Sequence, residues 1–143
     1  MPFEVRRDDR ERLSIVLEDE PSYCEALAST PPSREPELDR GTWLVLCFAG
    51  WSGPDVAAVH VALDAARRLG GRVNLGLRPY DDREEHEAWC PEIKDVTGSP
   101  IWVLLRGGDV RWWRSGELTV NDLLAALKPL LYGNELTAPR ARR

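Results

Sequence analysis

Two stretches of the chain run without a charged residue and without alternation: Thr42-Trp43-Leu44-Val45-Leu46-Cys47-Phe48-Ala49 and Ile101-Trp102-Val103-Leu104-Leu105. A strand with one wet face alternates apolar and polar side chains, so a short run that is apolar throughout fits a strand covered on both faces. Between the two, Val56, Val59, Ala62, Leu63 and Ala66 recur at spacings of three and four from Pro54 to Leu69. That is the stripe of an amphipathic helix, and Gly70-Gly71 stops it. Buried strands joined through helices make an α/β domain. At 143 residues the chain has room for one such domain and not for two.

The remaining elements follow from the same signals. Leu13–Leu17 is expected as a strand, and Pro21–Ala28 as a short helix with proline in its first turn. Ser29 to Gly41 holds three prolines and reads as a loop. Val73–Leu77 alternates as a strand, and Asp81–Cys90 is an acidic helix ending near Pro91. Gly107-Gly108-Asp109 turns the chain into Val110–Arg114 as a hairpin. The last helix is expected over Thr119–Lys128, with Thr119 as N-cap and Asp122 at its third position, and Pro129 should end or kink it. The expected order is therefore β α β α β α β β α.

Composition removes several function classes. Apolar residues make 43% and charged residues 30%, a globular profile. No run nears the roughly 18–20 apolar residues that span a bilayer. Met1 to Arg12 is charged and lacks the apolar core of a secretory signal, so a cytoplasmic location is expected. Cys24, Cys47 and Cys90 form no C-x-x-C pair, which argues against a disulfide scaffold or a zinc ribbon. Residues 1–40 hold eleven acids and six arginines and so carry the whole net charge of −5; residues 41–143 balance thirteen against thirteen. Nucleic acid and anionic membranes need a basic footprint, and neither is expected as a partner. Arg140, Arg142 and Arg143 on a fraying end do not supply one.

The order of elements, with Phe48-Ala49-Gly50-Trp51-Ser52-Gly53-Pro54-Asp55 at the first strand-to-helix turn, resembles the thioredoxin family, which carries Trp-Cys-Gly-Pro-Cys there. Gly98-Ser99-Pro100 resembles the family's cis-proline loop. Arg106 to Val110 is similar to its hairpin turn, and Ser115-Gly116-Glu117-Leu118 to the glycine loop before its last helix. The resemblance covers residues 13–131. It implies a thioredoxin-like three-layer sandwich, a central mixed β-sheet with helices on both faces. Residues 1–12 then form a flexible charged lead-in and residues 132–143 a basic tail.

The departures from that family bear on function. Ser52 and Asp55 stand where the two redox cysteines would be, and Leu46 stands where the resemblance implies a buried carboxylate. Dithiol exchange needs one thiolate to attack and a second thiol to resolve the mixed disulfide. A serine hydroxyl does neither at neutral pH. Ser52 and Asp55 instead spell a capping box, Ser-x-x-Asp, at the helix start. A nucleophilic Ser52 would need a base. His60 lies about two turns on, roughly 12 Å along the axis, and His86 is not placed nearby.

His86 and Cys90 are four apart, on one helix face, but two ligands make no metal site; no metal and no cofactor is expected. The acids around His86 read as a solvated helix face. Cys47 reads as a small buried hydrophobe. Trp112 and Trp113 are neighbours on a strand and face opposite sides, so one should pack and the other be exposed. By resemblance, Trp51, Ser99, Pro100 and Gly116 form a shallow groove in which the backbone before the proline holds an extended peptide, as in strand addition. The expectation is a redox-inactive, thioredoxin-like domain that binds a polypeptide, as a chaperone-like or assembly module. The alternative is a thioredoxin-fold enzyme that uses Cys90 or Ser52. Neither partner identity nor oligomeric state is legible in the sequence.

Overall fold

A computed structural model of the chain describes residues 3–7, 13–17, 24–26, 36–49, 52–79, 83–93 and 98–137. In chain order they form β1 (Phe3–Arg7), β2 (Leu13–Leu17), β3 (Cys24–Ala26), a 3-10 turn (Pro36–Asp39) and β4 (Thr42–Phe48). Then follow α1 (Gly53–Arg68), β5 (Asn74–Pro79), α2 (Arg83–Trp89), β6 (Ile101–Arg106), β7 (Asp109–Ser115) and α3 (Val120–Thr137).

The central sheet has the order β3-β5-β4-β6-β7. β5 lies parallel to both β3 and β4, β6 runs antiparallel to β4, and β7 antiparallel to β6. α1 is thus the crossover between the parallel neighbours β4 and β5. The two apolar runs are β4 and β6, adjacent in the middle of the sheet and buried on both faces, as their lack of alternation requires. Period two sorts them. Leu44, Leu46, Phe48, Trp102 and Leu104 face α1 and α3, whereas Val45, Cys47, Ile101, Val103 and Leu105 face Trp89, Cys90 and Ile93 at the end of α2. The fold is thioredoxin-like: a mixed sheet with α1 and α3 on one face and α2 on the other.

Three expectations change. Within the helix expected over Pro21–Ala28, the described residues Cys24–Ala26 are instead the outer parallel strand of the sheet, paired with Leu75–Leu77; the rest of that span lies outside the described residues. The helical preference of Glu25 and Ala26 is overridden by the edge that β5 offers. Leu13–Leu17 is a strand, yet it pairs with Phe3–Arg7 in a separate two-stranded sheet, so the expected lead-in of residues 1–12 contains β1. Finally, α3 does not end at Pro129 but runs through it to Thr137, into the expected tail. Proline at 129 removes the bond to the carbonyl of Ala125, which is exposed and can turn to water. Beyond it, Leu131 is buried and Arg106 Nη2 donates to Leu130 O at 3.3 Å, which holds the last turns.

On β7, Trp112 packs against the α1–α3 core and Trp113 is 39% exposed, the opposed pair expected of neighbours on a strand.

Candidate functional site

One end of the sheet gathers the residues singled out in the sequence. The β4–β6 register ends on Cys47↔Ile101 and the β6–β7 register on Ile101↔Ser115. The segments that run on from these pairs, Phe48–Ala49, Ser99–Pro100 and Gly116, therefore lie at the same end of the sheet. α1 begins there as well, because it follows β4 directly.

Ser52 is the N-cap residue of α1 by position, with extended backbone at φ −102° and ψ 122°, but its side chain caps no helix amide. The expected capping box is not formed. Pro54 removes one of the two helical N–H groups, the second, that an N-cap hydroxyl can accept from, and leaves only the third, that of Asp55. A full box also needs the serine's own N–H, which its acid would collect. It is already donated to Ala49 O at 3.0 Å. Asp55 consequently reaches further back. Its Oδ2 accepts from the backbone N–H of Ala49 at 2.8 Å, and its Oδ1 accepts from Ser52 Oγ at 3.3 Å. The carboxylate is 1% exposed. It ties the end of β4 to the first turn of α1, and it stands where the resemblance would place the second thiol.

The Ser99–Pro100 peptide bond is cis. Pro100 is buried, Ser99 half-buried and Gly98 exposed. Gly116 N donates to Pro100 O at 2.8 Å, and Trp102 Nε1 donates to Gly116 O at 3.0 Å. Gly116 holds φ +106°, a conformation that L side chains rarely adopt, so a residue with a Cβ would be strained there. Ser99, Pro100 and Gly116 are thus brought together by direct bonds. Gly53 and Pro54 are exposed at the start of α1. Trp51, the remaining residue expected in the groove, lies outside the described residues.

The other candidates fall elsewhere. Leu46 is fully buried in the α1–α3 core. Cys47 and Cys90 are fully buried, and Cys90 Sγ donates to Glu92 Oε1 at 3.6 Å. Cys24 lies in β3. His60 is exposed on α1. No three His, Cys, Asp or Glu side chains among the described residues are grouped to hold a metal ion. Among the described residues no helix is long and apolar enough to cross a membrane.

Sequence reasoning missed the basic side chains inside the opposite face. Arg78 and His86 are both fully buried. Arg78 lies one residue past the alternation read for that strand, and β5 extends to include it. His86 sits within the acidic run that reads as a solvated face. The signal was the spacing of His86, Trp89, Cys90 and Ile93, three, four and seven residues apart, all of them buried.

No protein-family model matches the chain, and a search of curated proteins finds no match. Solved structures do resemble it. One is a crystal structure of chloroplastic thioredoxin z, described as defining a novel type-specific target recognition. It shares 21% identity over 60% of this chain and 74% of that chain, with a TM-score of 0.48. The likeness is loose, and the thioredoxin-like fold of this chain stands on its own strand order and helix placement.

Proposed function

We propose that this domain has given up dithiol–disulfide exchange and instead holds an extended polypeptide segment across the Ser99–Pro100 and Gly116 loops, beside the start of α1. The observation that carries the reading is the Asp55 carboxylate. It is buried and bonded to Ala49 N and Ser52 Oγ, in the place where exchange chemistry would need a resolving thiol. Cys47 and Cys90 are inaccessible. Gly116 N donates to Pro100 O and Ser99 is half-buried next to the cis bond, an arrangement that supports a groove there. A half-exposed segment of this kind offers main-chain groups to an extended partner, and strand addition uses them.

The test is a titration of the isotope-labelled protein with a reduced, alkylated and therefore extended polypeptide. The expected result is saturable movement of the amide signals of residues 98–99 and 115–117, weakened at least several-fold in Trp51→Ala. Binding that leaves those amides unmoved, or no binding, overturns the reading.

A further inference from the structure

β7 is the last strand of the central sheet. Among the described strands its one neighbour is β6, so its outer side presents main-chain N–H and C=O groups with no strand to pair them. Asp109, Arg111, Trp113 and Arg114 are exposed along it, and Trp113 is the exposed large apolar side chain among the described residues. Arg111 and Arg114 enter no ion pair among the described residues. The guanidinium carbon of Arg114 lies 5.4 Å from the centroid of a Trp112 ring, so its charge is propped on an indole rather than neutralised by an acid.

The register sorts these side chains by face. Trp112 stands opposite Leu104 and Arg114 opposite Trp102, so both lie on the side of α1 and α3. Trp113 stands opposite Val103, on the side of α2. Val110 pairs with Leu105, the residue next to Leu104, which makes Arg111 the extra residue of a bulge. The regular edge is Trp112–Ser115, with a cation on one face and an indole on the other. A strand added there would meet it with alternate side chains, a carboxylate toward Arg114 and an apolar group over Trp113. Edge arginines and bulges also guard a sheet against its own kind. A second copy laid edge to edge would gather both copies of Arg111 and Arg114, which like charge disfavours. An acidic strand meets the same arginines favourably. The bare indole of Trp113 works against guarding and suits capture, since it offers a large apolar surface with a polar handle.

We propose that the outer edge of β7 is a docking site for an extended, acidic polypeptide segment, which joins the five-stranded sheet as a further strand with carboxylates toward Arg114 and Arg111 and an apolar side chain over Trp113. Main-chain bonds along the edge supply the affinity, and the arginines and the indole select the sequence. The site runs along the side of the sheet, whereas the Ser99–Pro100 and Gly116 loops lie at its end, and it does not rest on the binding role proposed for those loops.

The probe is a short capped peptide of alternating glutamate and valine, titrated into the isotope-labelled full chain at low salt. The amide signals of residues 110–114 are expected to move saturably, and further than those of residues 98–99, with an affinity that falls as salt is added. Arg114→Glu changes an exposed side chain and should weaken binding roughly fivefold or more, while the same peptide with lysine in place of glutamate should bind this variant better than the wild type. Trp113→Ser should weaken both pairings. A peptide with proline at its centre, which cannot donate to the edge, should bind less well than the parent. Equal affinity of the wild type for the glutamate and lysine peptides overturns the proposal. So does an absence of binding, or movement confined to residues 98–99. A dimer in sedimentation that shifts the β7 amides assigns the edge to a second copy, and oligothymidylate moving the same amides as strongly assigns it to a nucleic acid; either result overturns the acidic strand.

Discussion

α1 and α3 begin with the same pattern, a hydroxyl residue followed three places later by aspartate, and only α3 uses it as a box. Thr119 Oγ1 accepts from Asp122 N at 3.0 Å, and Asp122 Oδ2 accepts from Thr119 N at 3.2 Å, both exposed. At α1 the acid turns instead to Ala49 N and the hydroxyl turns to the acid. The difference lies in how the chain arrives. Thr119 follows a glycine loop and has an amide to give. Ser52 has its amide already bonded to Ala49 O, so none is left for the acid, and Pro54 withholds one of the two helical donors open to a cap hydroxyl. One pattern therefore gives an ordinary cap at the surface and a strand-to-helix tie in the core. The tie lies where the sequence resemblance implies the second redox cysteine.

The comparison can be broken at either helix. The largest effect is expected at Asp55→Ala. It leaves the buried Ala49 N–H without its acceptor, a loss of about 1–3 kcal/mol read as a lower melting midpoint with the fold retained. A loss no greater than that of Asp122→Ala would put the two starts on equal terms and end the distinction. Thr119→Ala removes an exposed cap and should cost ~1 kcal/mol by the same measurement. The smallest and sharpest is a cycle on Ser52 and Pro54. Ser52→Ala should be within about 0.5 kcal/mol of neutral in the wild type, because the hydroxyl caps nothing. In a Pro54→Ala background the second helical N–H returns, Ser52 can accept it, and the same substitution should then cost ~1 kcal/mol. Equal costs in both backgrounds would show that Pro54 is not what diverts the serine.

Acid gives a further contrast, between the two faces of the sheet. The His86 pKa is depressed in the folded state, so its neutral form contributes stability that is present above the unfolded value of 6.5 and is lost as pH falls toward about 4. Between pH 7.5 and 4.5 the loss is about 2.5 kcal/mol in the wild type and should be absent from His86→Leu in denaturant titrations at those two pH values.

The parts of the fold that were legible in the sequence are those fixed by burial on both sides. β4 and β6 carry no polar alternation and sit at the centre of the sheet. β3 was not legible, because three residues of helical composition become a strand only when β5 offers an edge, a fact about residues fifty positions away. The site divides in the same way. Ser52, Asp55, Ser99, Pro100 and Gly116 are recognisable by type and order. Which amide Asp55 takes is not, since that depends on which donors the turn has already used. Arg78 and His86 were hidden because charge reads as exposure until a tryptophan is found beside them.

The proposal that this domain does not exchange disulfides rests on the buried Asp55 carboxylate and on Cys47 and Cys90 lying sealed in the core. Reduction of insulin disulfides with dithiothreitol as electron donor tests it directly. The wild type and Cys90→Ser should both match dithiothreitol alone. A wild-type rate above that background, lost in Cys90→Ser, would contradict it.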